Sequence, residues 1–187
     1  MADTGRGYDA VIGWSLGGQL AARALAAGML APKKLVLIAT PFQFVEMEKN
    51  GLGMKRDTFN TFFDNYMKHP MRALHKAWEL IVHDDRHAPF IRENLQAFSK
   101  QGVLANDWLK WLGMIDGFSC ESLDFRAFPP TLLVHGENDA VVEAEQSRRF
   151  AQRIPAARLE IWPDCGHAPH WHDTEKLRRL VGEHLHV

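Results

Sequence analysis

A serine, an acid and a histidine, each in a loop behind a short apolar run, are the residues of this chain whose types and order suit nucleophilic chemistry. Ser15 stands in Gly13-Trp14-Ser15-Leu16-Gly17, between the apolar run 8–12 and a helix-forming stretch, 19–27. A serine hydroxyl is a weak nucleophile until a general base takes its proton and an acid orients that base. Asp139 and His167 can supply that pair. Asp139 follows Thr131-Leu132-Leu133-Val134-His135, and His167 follows the run 158–162 within Pro163-Asp164-Cys165-Gly166-His167-Ala168-Pro169. Open parallel sheets carry their reactive groups beyond the carboxyl ends of the strands, where all three residues fall.

The elements around them must hold that placement. A serine on a tight strand-to-helix turn keeps its hydroxyl clear of the sheet in an unfavourable backbone conformation, and glycines two before and two after leave room for the turn. The helix that follows begins with unpaired backbone N–H groups, among them that of Leu16, which can face a developing oxyanion. Small apolar residues, Leu20, Ala21, Ala24, Leu25 and Ala27, pack this helix, and Gly28 is its expected stop. The next buried strand spans 34–39 and ends at Thr40-Pro41-Phe42. Strand-like runs then vanish until about residue 125, and helical periodicity predicts helices over 57–68, 71–83, 89–100 and 106–114. Such an insertion divides the chain into a first core part (1–45), a helical cap (46–125) and a second core part (126–187). The last part holds the strands already named, a helix over 143–153 and a final helix over 174–185.

The order Ser, Asp, His is the one found in α/β-hydrolases. From residue 8 onward the chain resembles that superfamily. The segment Gly13-Trp14-Ser15-Leu16-Gly17-Gly18, the Asp124-Phe125-Arg126 before a Pro-Pro-Thr-Leu-Leu strand, and Gly166-His167-Ala168-Pro169 look most like the pimeloyl-acyl-carrier-protein methyl ester esterases of biotin synthesis. The resemblance implies an α/β-hydrolase fold with a helical cap. It implies Ser15 as nucleophile, His167 as base and then acid, Asp139 as orienting carboxylate and the Leu16 amide as one oxyanion donor. The implied activity is carboxylic-ester hydrolysis through an acyl-enzyme, without a cofactor, on a small or carrier-bound acyl ester. Phe62, by its position in the family, and Phe42, at a strand end, are expected in the acyl pocket; Trp14 either packs or lines it. In similar esterases basic cap residues hold the acyl-carrier protein, which points to Arg56, Arg72 and Lys76. Residues 49–76 carry six basic side chains against two acidic ones, although a merely solvated helix face reads the same way.

The resemblance also implies four strands before the serine turn, with the loop after the third supplying a second oxyanion donor. Only residues 1–7 precede the first strand here. The expectation is an N-terminally truncated hydrolase whose serine-bearing strand has an open edge. A non-catalytic remnant or interaction protein is the alternative, and thioesterase, lactonase and carbon–carbon hydrolase activities stay open within the fold.

Composition sets the outer bounds. With 187 residues, 46% of them hydrophobic and 24% charged, and a net charge of −1, the chain has the balance of a globular domain and no charge excess for nucleic acid. No run approaches a membrane span and the first residues lack a signal-peptide core, so a cytoplasmic location is expected. Cys120 and Cys165 are expected as free thiols. His167, His170 and His172 have a spacing that zinc can use, but the Ser-His-Asp reading accounts for His167 without metal and leaves the other two as mouth or surface residues. His135 is expected to pack at its strand end.

Overall fold

The computed structural model describes residues 7–47, 51–99 and 105–186. Four strands, β1 (Ala10–Trp14), β2 (Lys34–Ile38), β3 (Thr131–Gly136) and β4 (Ala157–Trp162), form one parallel sheet in the order β1-β2-β3-β4. Helix α1 (Leu16–Ala26) connects β1 to β2. Helices α2 (Arg56–Lys68), α3 (Pro70–Ile81), α4 (Ala88–Ser99) and α5 (Ala105–Ile115) fill the long connection from β2 to β3. Helix α6 (Glu145–Arg153) joins β3 to β4, and α7 (Pro169–His172) and α8 (Thr174–His186) complete the described chain.

The central strands are apolar on both faces because both faces are covered. Side chains alternate across a strand, so Leu35 and Leu37 of β2 and Leu133 of β3 enter one core with Ala21 and Ala22 of α1, Phe150 of α6, Phe42 and Phe125. Val36 and Ile38, with Leu132 and Val134, face the opposite way onto Trp162, Leu177 and Leu180. Burying each such side chain is worth about 1.5–3 kcal/mol. β1 is the outer strand among the described residues, and Ile12 on it is 54% exposed.

Register carries the three loops to one edge. Trp14 lies opposite Ile38, Ile38 opposite Val134, and Gly136 opposite Trp162. The chain therefore leaves β1, β3 and β4 on the same side of the sheet, where Ser15, Asp139 and His167 follow. Helix α1 stops as its sequence predicts: Gly28 has φ 68°, the Gly28 N–H donates to the Leu25 carbonyl and the Met29 N–H to the Ala24 carbonyl.

The helical connection packs as two clusters, each touching the site loops. Val45, Phe59, Tyr66, Ala73, Leu112 and Ile115 gather with half-buried Phe62 and with Leu16 beside the serine. Trp78, Ile81, Val82, Ile91 and Leu95 pack on Ala168, Val141 and Trp171, which flank His167 and Asp139.

Candidate active site

Ser15 adopts φ 51° and ψ −125°, a left-handed conformation rare for a side-chain-bearing residue. Its N–H donates to the Ile38 carbonyl at 2.9 Å, and its carbonyl accepts from Gly18 N–H at 3.0 Å, so the strained turn is tied to β2 on one side and to α1 on the other. The glycines that permit it are Gly13 and Gly18. A Cβ on Gly13 would lie 2.5 Å from the Gly18 Cα, and one on Gly18 would lie 2.0 Å from the Thr40 hydroxyl, whereas one on Gly17 would meet nothing within 4 Å. The second glycine of the five-residue pattern is thus not the one that sterics demand.

The three predicted residues meet. His167 Nε2 is 3.0 Å from the Ser15 hydroxyl, and His167 Nδ1 is 2.7 Å from Asp139 Oδ2. A carboxylate only accepts, so His167 carries its proton on Nδ1 and leaves Nε2 free to accept from serine. Leu16, whose amide stands at the start of α1, occupies the first turn, where helix geometry leaves N–H groups without intrahelical partners.

Asp139 is held by four donors. Its Oδ1 accepts the N–H groups of Val141 and Val142, both at 2.9 Å. Its Oδ2 is shared between His167 and His135, whose Nε2 lies 3.1 Å away. Burial alone would raise the carboxyl pKa; the facing imidazoles of His167 and His135 outweigh it and hold Asp139 below the usual carboxylate range. His135 is therefore more than a packed strand end. Fully buried in β3, it also bonds the Val142 carbonyl at 2.8 Å and the Ser147 hydroxyl at 2.7 Å. The sequence signal was a polar residue inside an otherwise apolar buried strand, which must find partners.

Other expected residues lie where packing takes them. The Trp14 indole N–H donates to the His167 carbonyl at 2.8 Å, and its ring meets His170 edge-on at 4.7 Å. Trp14 thus braces the histidine loop from the serine turn. Phe42, expected in an acyl pocket, is instead a core residue: it is 1% exposed and packs against Phe125 and Phe150. Phe62 stays half-buried in the cluster that contains Leu16. Arg56 pairs with Asp116, whereas Arg72 and Lys76 border an open groove of about 550 Å³ with Met71, His75, Trp78 and Arg92. Lys49, the first basic residue of that stretch, lies outside the described residues.

His172 is buried, not a surface residue; its Nδ1 bonds Asp85 Oδ1 at 2.9 Å. His170 is half-buried against Trp14 and Trp171, and burial, aided by nearby His167, pushes its pKa down to about 4. Asp85, Cys165 and His172 are the one trio that brings potential metal-ligand atoms together among the described residues. Both Asp85 oxygens already accept hydrogen bonds there. Burial, reinforced by Asp85 and Asp139, pushes the Cys165 thiol up, away from the thiolate a metal would need. Both cysteines are free and buried.

Residues 2–180 match the family model described as the alpha/beta hydrolase family. The chain belongs to the α/β-hydrolase family. It is 30% identical over 175 residues to the pimeloyl-[acyl-carrier protein] methyl ester esterase of Nitrosomonas europaea, an alignment covering 90% of this chain and 68% of that protein. The esterase of the same description from Nitrosospira multiformis is 30% identical over 177 residues, covering 86% of this chain and 62% of the relative. This α/β-hydrolase thus spans about two thirds of the length of these relatives. Among solved structures, an esterase from Exiguobacterium antarcticum superposes with a TM-score of 0.84 at 17% identity, over 96% of this chain and 68% of the other, and shares the fold. No described helix of this hydrolase is long and apolar enough to cross a membrane.

Proposed function

We propose that this α/β-hydrolase cleaves a carboxylic ester by two-step acyl transfer through Ser15, His167 and Asp139. The observation that carries the reading is the unbroken hydrogen-bond line from the Ser15 hydroxyl through His167 to buried Asp139, at 3.0 and 2.7 Å. His167 Nε2 takes the serine proton as Oγ attacks the ester carbonyl, and the Leu16 N–H faces the oxyanion. His167 then gives its proton to the leaving alcohol. Water, deprotonated by His167, attacks the acyl-enzyme; the acid leaves and Ser15 regains its proton. None of these steps calls on a metal or an organic cofactor.

Within that chemistry, the substrate we favour is a methyl ester of a pimeloyl group carried on acyl-carrier protein, released as methanol and the free carboxylate. The two relatives named above support it. Arg72 and Lys76, exposed on α3 and bordering the groove, are the proposed contacts for the acidic carrier, with Arg56, already paired to Asp116, contributing less.

Intact-mass measurement after exposure to a fluorophosphonate probe tests the nucleophile. One adduct on the wild-type chain and none on Ser15→Ala is the expected result; an adduct that survives in Ser15→Ala places the nucleophile elsewhere. Reversing charge at Arg72 and Lys76 is expected to raise KM about tenfold for the carrier-bound ester while leaving a small ester unaffected. Equal effects on both substrates remove the carrier-docking role.

A further inference from the structure

Resting on the triad reading above, we infer that Asp85, from the turn between α3 and α4, is a positioning residue for His167. It acts by holding the backbone of the loop on which the catalytic imidazole is mounted.

The loop carrying His167 is backed by the helical connection. The Gly166 N–H donates to Asp85 Oδ2 at 2.7 Å, and the His167 N–H donates to the Ile81 carbonyl at 3.0 Å. The Arg86 N–H reaches the Asp164 carbonyl at 2.9 Å, and the Asn138 side-chain amide reaches the Asp84 carbonyl at 2.9 Å, next to Asp139. Residues 81–86 therefore touch both the acid loop and the base loop. The approach is backbone on backbone: a Cβ on Gly166 would lie 2.7 Å from the Ile81 carbonyl oxygen. On the far side the Trp14 indole holds the His167 carbonyl. The His167 N–H and carbonyl are thus held from opposite sides, and Asp85 holds the preceding peptide unit through the Gly166 N–H.

Asp85 is the one side chain of that turn built to do this. Its carboxylate is fully buried and accepts three hydrogen bonds: from Gly166 N–H, from His87 N–H at 2.7 Å and from His172 Nδ1–H at 2.9 Å. Its hydrogen-bond partners are two backbone dipoles and one imidazole. A buried carboxylate satisfied this way is costly to disturb, because each donor it serves is itself buried or held in a turn. The chemistry at His167 needs its Nε2 placed against Ser15, and a shift of about 1 Å from a remote change can cost about 10²-fold in rate.

The test compares wild type, Asp85→Ala and Asp85→Asn in the full chain, at a temperature well below each melting midpoint. It reads the fluorophosphonate labelling rate per folded molecule and kcat and KM for a p-nitrophenyl ester. Asparagine keeps one carbonyl for the Gly166 N–H but turns an amide toward a second donor. The expected order in kcat is wild type, then Asp85→Asn, then Asp85→Ala at about 10²-fold below wild type, with KM nearly unchanged and labelling falling in step. A folded variant of either kind with wild-type kcat and labelling rate overturns the inference, and so does a loss confined to KM. If Asp85→Ala does not fold, Asp85→Asn alone decides by the same criterion. A wild-type chain that takes no adduct overturns the serine-hydrolase reading itself, a result separable from unequal or equal behaviour among variants.

Discussion

At Ser15 the strain is visible in the backbone: a positive-φ serine is held by the hydrogen bonds to Ile38 and Gly18 that over-determine it. At Asp139 the opposite holds, since every acceptor site is used. Both oxygens are committed, two backbone N–H groups to Oδ1 and two imidazoles to Oδ2. Asp139→Asn forces an amide N–H toward an N–H donor on one side or the other. Its kcat for an activated ester is expected to fall about 10⁴-fold, measured by stopped-flow release of the alcohol. His135→Phe leaves His167 as the sole imidazole on Oδ2 and strips a partner from Ser147. Urea titration should show a loss of about 1–3 kcal/mol, and kcat should fall much less than in Asp139→Asn. A His135→Phe chain as stable as wild type would make that histidine dispensable.

Among the elements, the β1–α1 junction is decided by backbone contact. Gly18→Ala drives a methyl into Thr40 and should destabilise by about 1–3 kcal/mol, part of it recovered when Thr40→Ala is added. Gly17→Ala occupies open, exposed helix surface and should stabilise α1 by up to about 1 kcal/mol. Thermal unfolding of the three variants checks the pair of signs; equal behaviour at 17 and 18 contradicts the packing. Phe42 belongs to this scale too. As a core residue sandwiched by Phe125 and Phe150, its replacement by alanine should cost about 3–5 kcal/mol in stability.

Across the whole molecule, the helical connection reaches the serine turn through Leu16 and the histidine and acid loops through Ala168 and Val141, so sheet and helices form one unit around the site. That unit carries an acid sensitivity. His170 is kept neutral by burial, with a folded pKa near 4 against an ordinary 6.5. As pH falls from 6.5 toward 4 the unfolded chain takes this proton and the folded chain refuses it, so stability declines, by on the order of 3 kcal/mol at most. Asp139, depressed in the fold, adds its loss at still lower pH, as it is protonated. His170→Phe should flatten the fall in unfolding free energy between pH 6.5 and 4.5. Parallel curves for wild type and variant would show that His170 opens to solvent.

Much of this site was legible in one dimension. Strand–serine–helix, strand–Asp and strand–His are local patterns, and a parallel sheet sends all three loops to one edge, so the candidate residues Ser15, Asp139 and His167 and their order follow from the sequence by itself. The helices of the long connection were legible from periodicity, with their described ends within two residues of the expected bounds, where fraying and capping decide; the expected end at 100 lies outside the described residues. What only the tertiary structure decided concerns contacts between segments distant in sequence. Gly18 rather than Gly17 is constrained because Thr40, on another strand end, lies against it. Phe42 falls into the core because Phe125 and Phe150 enclose it. Asp85 and His172, unremarkable among neighbouring histidines and acids, become a buried pair behind His167 because α3 and the β4 loop are folded together. Local chemistry is written in residue order, whereas burial and hydrogen-bond partnership across 80 residues exist only once the chain is compact.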